Sequence, residues 1–262
     1  MKLKIYQVDA FTSELFGGNP AAVCPLESWI ADELMQKIAM ENNLAETAFY
    51  VKNNNGYNIR WFTPTVEVDL CGHATLATAF VLFNYEGHQN DEIVFSSLRS
   101  GTLKVKKHDD LLTLDFPTDK IESADLTPEL LKCFNENPVK AFKGKTDYML
   151  VFNNEEEIKN LQPDLAAISK LKARGVIATA KGDNVDFVSR FFGPQSGVNE
   201  DPVTGSAHTT LIPYWANKTG KNELSAIQLS ARKGFLQCKY LGDRVEISGK
   251  CRLYLTGEIL TK

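Results

Sequence analysis

Asn199-Glu200-Asp201-Pro202-Val203-Thr204-Gly205-Ser206-Ala207-His208 places two acids, a proline, a Thr-Gly-Ser step and a histidine within one short stretch. Behind it, Thr209 to Lys218 sets Leu211, Ile212, Tyr214 and Trp215 at helical spacing. The acidic turn therefore leads into a helix whose first turn is Gly205-Ser206-Ala207. A first turn carries unpaired backbone N–H groups and a partial positive charge, and a glycine lets an anion approach closely. Proton-transfer groups beside an anion site suit chemistry on a small carboxylated molecule. The same residues also fit an Asx-type turn capping an ordinary helix, with Asp201 as the cap and His208 packed inside.

The stretch has a partner earlier in the chain. Arg60-Trp61-Phe62-Thr63-Pro64 matches Arg190-Phe191-Phe192-Gly193-Pro194, 130 residues on. Gly72 matches Gly205, Arg99 matches Arg232, Gly101 matches Gly234 and Asp110 matches Asp243, each pair 133 residues apart. Three extra residues between strand and helix in the second copy account for the change. The order of elements repeats as well: strand, acidic loop, glycine-started apolar helix, three-strand meander. A period this long excludes a solenoid and fits a duplicated domain. The expected fold is α+β, with two pseudo-twofold-related domains, each a mostly antiparallel, barrel-like sheet around its central helix. The division falls at 1–117 and 118–262, with Pro117 to Asp125 as linker and the last strand, near 252–262, free to pack back on the first half. Asp69 to His73 and Asp201 to Ser206 then occupy the same place in two halves, and a cleft between the halves is the expected site of a small ligand.

The remaining elements follow from local pattern. Leu3 to Phe11 alternates as a strand, and Gly17-Gly18-Asn19-Pro20 breaks it. Ser28 is positioned to cap a helix over about Ala31 to Asn42. Asn43 to Val51 leaves a polar loop and enters a strand at Glu46. Glu46 there is either a solvated strand-end acid or, if withdrawn from water, a group able to give and take a proton near neutral pH. The helix from about Gly72 to Tyr85 has no charged residue until Glu86, as expected of a helix buried on most sides. Thr127-Pro128, Asn154 and Pro163-Asp164 each open a further short helix.

Composition excludes several classes. Of 262 residues, 43% are hydrophobic and 24% charged, typical of a folded globular chain. The net charge of -4 offers no basic surface for nucleic acid. No apolar run is long enough to span a membrane, and the N-terminal residues alternate like a strand rather than forming a signal peptide. Cysteines 24, 71, 133, 238 and 251 are scattered with no CxxC, so no metal site is expected. The expected location is the reducing cytoplasm.

Asp9-Ala10-Phe11 with Gly18-Asn19-Pro20, Leu44-Ala45-Glu46-Thr47-Ala48, Cys71-Gly72-His73-Ala74-Thr75 and Glu200 to His208 together resemble the PhzF family, named for phenazine biosynthesis, within the diaminopimelate-epimerase-like superfamily. The likeness runs the length of the chain. It implies two barrel-like domains with the site between them, and cofactor-independent isomerase chemistry on a small carboxylate. Carried over, Glu46 is the general base and acid, and His73, Asp201 and Ser206 complete the catalytic set. Asn19, Gly72, Gly205 and Thr204 are the substrate-binding positions, Gly72 and Gly205 marking where backbone N–H groups hold a carboxylate. Homodimers are common in such a family.

Epimerases and proline racemases of the superfamily use two opposed cysteines. Here Cys71 stands at the first position and Thr204 at the second, which disfavours a two-thiol racemase. A dehydratase or epimerase using Cys71, and a non-catalytic protein that binds a small carboxylate, are the alternatives. Cys71 as a small buried residue is the preferred reading.

Overall fold

The two ends of the chain meet in one ladder. In a computed structural model, which describes residues 1–261, strand β1 (Lys2–Ala10) pairs antiparallel with the last strand along its whole length, from Lys2 opposite Leu260 to Ala10 opposite Cys251. The chain divides into two units, Met1–Asp115 with Ser248–Lys262, and Phe116–Ile247. No helix among the described residues is long and apolar enough to cross a membrane.

In the first unit β1 turns back into β2 (Asn19–Leu26), an antiparallel pair with Ala10 opposite Asn19. The turn needs Gly18. Its φ is +59°, and a Cβ there would lie 2.0 Å from the carbonyl oxygen of Ala10. Helix α1 (Asp32–Asn42) follows, stopped by Asn43 in the left-handed conformation. Its N-cap is Ala31, with no capping side chain; Ser28, the sequence-predicted cap, lies too far upstream. Strands β3 (Glu46–Asn53) and β4 (Gly56–Phe62) form a hairpin, and β5 (Glu67–Val68) turns back on β4. Helix α2 (Gly72–Asn84) is buried from His73 to Leu82 apart from Phe80. Its two buried threonines donate to carbonyls four residues back, Thr75 to Cys71 at 2.5 Å and Thr78 to Ala74 at 2.7 Å, so neither hydroxyl is stranded in the core. It packs against β1, β2 and β3. The meander is β6 (Glu92–Ser97), β7 (Gly101–His108) and β8 (Leu111–Pro117), turning at the sequence-predicted Ser100-Gly101 and Asp109-Asp110.

The second unit begins with β9 (Glu122–Ala124), which pairs with β10 (Lys140–Lys143). Residues 122–124 are thus a strand and not part of a free linker. Between them lies α3 (Pro128–Leu131), with proline at its first position. Strand β11 (Tyr148–Val151) leads to α4 (Glu155–Asn160) and α5 (Leu165–Ile168), capped by the side chains of Asn154 and Asp164. Strands β12 (Val176–Lys181) and β13 (Phe187–Gly193) form a hairpin, followed by β14 (Val198–Asp201). Glu200 and Asp201 therefore sit on a short strand paired with β13, where the sequence had pointed to a turn. Helix α6 (Gly205–Thr219) contains Pro213. The missing N–H frees the carbonyl of Thr209, which accepts instead from the backbone of Asp119 at 3.2 Å. Strands β15 (Glu223–Gln228), β16 (Gly234–Tyr240) and β17 (Arg244–Gly249) form the second meander, and β18 (Cys251–Leu260) returns to β1.

The duplication is visible in pairing. Among the described pairings each unit is mostly antiparallel and includes parallel pairs at matching places, β2 with β3 and β4 with β6 in the first, β11 with β12 and β13 with β15 in the second. The repeated arginines do the same work. Arg60 clamps both carboxylate oxygens of Glu67, at 2.7 and 2.8 Å, and lies over Phe62. Arg190 clamps Glu200, at 2.7 and 2.9 Å, and lies over Phe192. The two glutamates are themselves 133 residues apart, a match the sequence comparison passed over. Both units are α+β, as the repeat predicts.

Candidate active site

Strand register brings the first constellation together. Asn19 opens β2 and Glu46 opens β3, and the parallel pairing sets Ala21 opposite Glu46. The start of α2, packed on these strands, delivers Cys71, Gly72 and His73 to the same end. Glu46 Oε2 lies 3.1 Å from His73 Nε2, with 16% of the acid's side chain and 5% of the imidazole exposed. The approach lies off the line of a good hydrogen bond, so the contact is one of charge more than of an aligned donor. The other ring nitrogen, Nδ1, is 3.1 Å from the side-chain amide of Asn19. Cys71 Sγ touches the ring at 3.5 Å from Nδ1 and 3.9 Å from Nε2.

Charge in this cluster follows from burial and proximity. Desolvation, the largest influence, pulls the His73 pKa down. The facing Cys71 sulfur and Glu46 carboxylate outweigh it and hold the ring well above 6.5. Cys71 is pushed up to about 11, by burial first and then by Glu46, so at neutral pH it is a thiol. Asn19 presents its amide nitrogen to Nδ1, so the ring nitrogen on that side is placed to accept an N–H from Asn19 while Nε2 faces Glu46.

The second constellation stands on the equivalent elements. Thr204, extended in backbone, is the N-cap residue of α6, as Cys71 is of α2, and neither caps its helix with a side-chain hydrogen bond. The Thr204 hydroxyl donates instead to Asp201 Oδ2 at 2.6 Å. Gln228 braces the turn, accepting the Thr204 N–H at 2.8 Å and donating to the carbonyl of Asp201 at 2.7 Å. Asp201 is thus fixed at the head of the helix. His208 is fully buried, its Nδ1 donating to the Thr204 carbonyl at 2.8 Å, the back-bond that Thr75 makes in the first copy. Its Nε2 has no partner among the described residues, and burial lowers its pKa to about 4, so it is a neutral core residue.

Ser206, at the place of His73, accepts from Arg174 Nη1 at 2.9 Å. Arg174 is held by the buried Asp147 through Nε at 2.9 Å and through Nη2. It also lies over the Phe191 ring. Sequence reading missed Arg174 and Asp147, which lie on loops with no motif of their own. The register finds them. Thr47 pairs with Phe62 and Val176 with Phe192, so Glu46 corresponds to Gly175, next to Arg174. One copy thus carries an acid against a histidine, and the other a cation against a serine. Gly72 and Gly205 are the first residues of their helices.

Known proteins resemble the chain over nearly its whole length. The family profile described as phenazine biosynthesis-like protein, PhzC-PhzF, matches residues 8–257. An uncharacterised isomerase of Pseudomonas aeruginosa is 51% identical over 259 residues, 99% of each chain. The crystal structure of a PhzF-family phenazine biosynthesis protein from Enterococcus faecalis matches with a TM-score of 0.97 at 48% identity, over 100% of both chains. A hydroxyproline epimerase from Agrobacterium vitis matches at a TM-score of 0.60 and 12% identity, over 98% of this chain and 92% of that one, a likeness of fold alone.

Proposed function

Because the chain belongs to the phenazine biosynthesis-like (PhzC-PhzF) family, we propose that it is a cofactor-independent isomerase of a small carboxylated metabolite, with Glu46 moving a proton between carbon atoms. The observation that carries this reading is the contact of Glu46 with the buried His73 at 3.1 Å, with glycine at the corresponding place in the second copy. A single carboxylate that takes a proton from one carbon and returns it to another needs no second base. His73 holds the carboxylate in place and balances its charge, and Asn19 orients the ring through its far nitrogen.

The second constellation is proposed to hold the substrate. Ser206 has one acceptor site filled by Arg174, which leaves its hydroxyl proton to donate to an anion. Gly205 and Gly72 open first helical turns whose N–H groups suit a carboxylate. Asp201 and Thr204, already bound to one another, shape the place rather than carry the proton. That bond also weighs against a two-base racemase, since the hydroxyl that matches Cys71 in the repeat is committed to Asp201.

The test is incubation in heavy water with a panel of small carboxylic acids, following deuterium in the recovered acids. Wild type labels its substrate. Glu46→Gln loses labelling by about 100-fold or more, the range for removing a general base. Equal labelling by both proteins refutes Glu46 as the proton carrier.

A further inference from the structure

The cleft beside the end of α6 has a counterpart in the first unit, and strand register matches the two position by position. Val176 stands for Thr47, so Lys181 stands for Lys52. The parallel pairs set Tyr148 for Ala22, and their antiparallel partners Lys143 and Gln7 then set Lys140 for Lys4. Along the same strands Phe152 stands for Leu26 and Asn153 for Glu27. Counted from the helix starts, Trp215 stands for Leu82 and Thr219 for Glu86. These last four pairs, like the two lysine pairs, line the cleft of their own unit.

The shape recurs but the charge does not. In the first unit Glu86 accepts from Lys4 Nζ at 2.8 Å and from the Tyr6 hydroxyl at 2.5 Å, which neutralises that lysine. In the second, Asn153 and Thr219 stand in place of both acids, and the Thr219 hydroxyl turns to the carbonyl of Trp215 at 2.7 Å. The lysines remain. Lys140 and Lys181 are joined by Lys218 in the last turn of α6, which offsets the negative end of that helix. None of the three has a carboxylate at ion-pair distance among the described residues. Of the acids in the lining, Asp186 is taken by Lys221 at 2.6 Å and by Ser225, and Asp183 is exposed on the turn after β12. The floor is aromatic: Phe152 and Trp215 are buried, and the half-buried Tyr214 stands edge-on to Trp215 at 5.3 Å. The cleft holds about 850 Å³, within the range of roughly 300–1,000 Å³ common to small-molecule sites.

We propose that this cleft of the second unit binds a polyanion carrying a planar ring, of the nucleoside triphosphate class, with its phosphates on Lys140 and Lys181 and its ring against Tyr214. An inorganic anion leaves the aromatic floor uncovered, and an uncharged ring leaves the lysines unpaired; a ligand with both parts uses the whole lining. The site is separate from the one at the start of α6, since Thr219 lies about 20 Å along that helix from Ser206. It stands on the lining alone and is independent of the isomerase reading.

The experiment is equilibrium dialysis of the full-length protein against radiolabelled ATP at low salt, with tripolyphosphate and adenosine as competitors. One ATP binds per chain, and its affinity falls as salt is raised. Tripolyphosphate competes more weakly than ATP, and adenosine more weakly still. The double variant Lys140→Gln, Lys181→Gln loses about 10-fold or more in affinity, through two lost charge-assisted contacts. Asp183→Asn, which removes the unpaired acid of the lining, binds more tightly. Lys52→Gln, in the matching cleft of the first unit, binds as wild type does. Circular dichroism establishes that each variant is folded. Failure to retain ATP, or equal affinity of wild type and the double lysine variant, overturns the site. Tripolyphosphate binding as tightly as ATP overturns the place of the ring. Arg174→Met should bind ATP as wild type does; a loss there places the nucleotide at Ser206 and overturns the cleft.

Discussion

Replacing His208 by asparagine should flatten the acid side of the stability profile. The ring is fully buried, gives its one N–H to Thr204 at 2.8 Å and lies 5.9 Å from the Phe187 ring centre. A second proton has no acceptor there among the described residues. The folded pKa is accordingly depressed from 6.5 to about 4. As pH falls below 6.5 the unfolded chain takes up a proton that the native chain refuses, so stability is fully present above 6.5 and is lost on the way down to 4. At about 1.4 kcal/mol per pKa unit the full loss is about 3 kcal/mol, and about 2 kcal/mol is gone by pH 5. His73 acts with the opposite sign. Its pKa is raised, so its contribution is present below 6.5 and is lost as pH climbs through the folded value. Comparing two proteins that both keep His73 cancels that effect. The introduced side-chain amide can still donate to the Thr204 carbonyl, and the smaller side chain costs the same at every pH. Urea titrations at pH 8 and pH 5 should show wild type losing about 2 kcal/mol more than His208→Asn. Parallel losses in the two proteins would refute the claim that His208 is neutral and unable to find a second partner.

Two further expectations come from the second unit. Arg190→Met removes the clamp on Glu200 and strands the carbonyls of Ile158 and Leu161, which Arg190 reaches at 3.2 and 2.8 Å; urea unfolding should show a loss of about 2–4 kcal/mol. Arg174→Met leaves Ser206 without its charged donor and should raise KM of the labelling reaction by about 10-fold or more with a smaller change in kcat, while Arg174→Lys recovers part of the loss. A fall in kcat alone would place Arg174 with the chemistry instead of with substrate binding.

The fold was legible because its strongest signals are local and occur twice. A charge-free helix after a glycine, a three-strand meander and an Arg-x-Phe strand end each carry little information alone, and their recurrence in register carries a great deal. What stayed hidden follows the same logic in reverse. Ser28 reads as a cap from spacing, but the backbone at Ala31 sets the helix start. Glu200 and Asp201 read as a turn because acids before proline usually are one; the pairing of Phe191 with Asp201 makes them a strand, an effect of partners many residues away. The Glu67 and Glu200 clamps are ion pairs set by strand pairing, and nothing beside either glutamate announces them.

The site shows why a duplicated fold need not carry duplicated chemistry. Both helices begin after an extended N-cap residue, Cys71 or Thr204, and both brace that residue's carbonyl through a side chain one turn on, Thr75 or His208. That scaffold is symmetric. The residues it presents are not. His73 faces Glu46 in one copy, and Ser206 faces Arg174 in the other. A carboxylate beside an imidazole can hold and release a proton; a guanidinium beside a hydroxyl offers no group that takes up a proton near neutral pH. A two-thiol racemase needs a cysteine in each copy, and at the place of Cys71 the second copy has Thr204, whose hydroxyl donates to Asp201. The motif that opens the reading, Glu200 to His208, is therefore divided in its duties. Glu200 and His208 hold the fold, Asp201 and Thr204 hold each other, and Ser206 is held by Arg174, the bond on which its proposed contact with substrate rests.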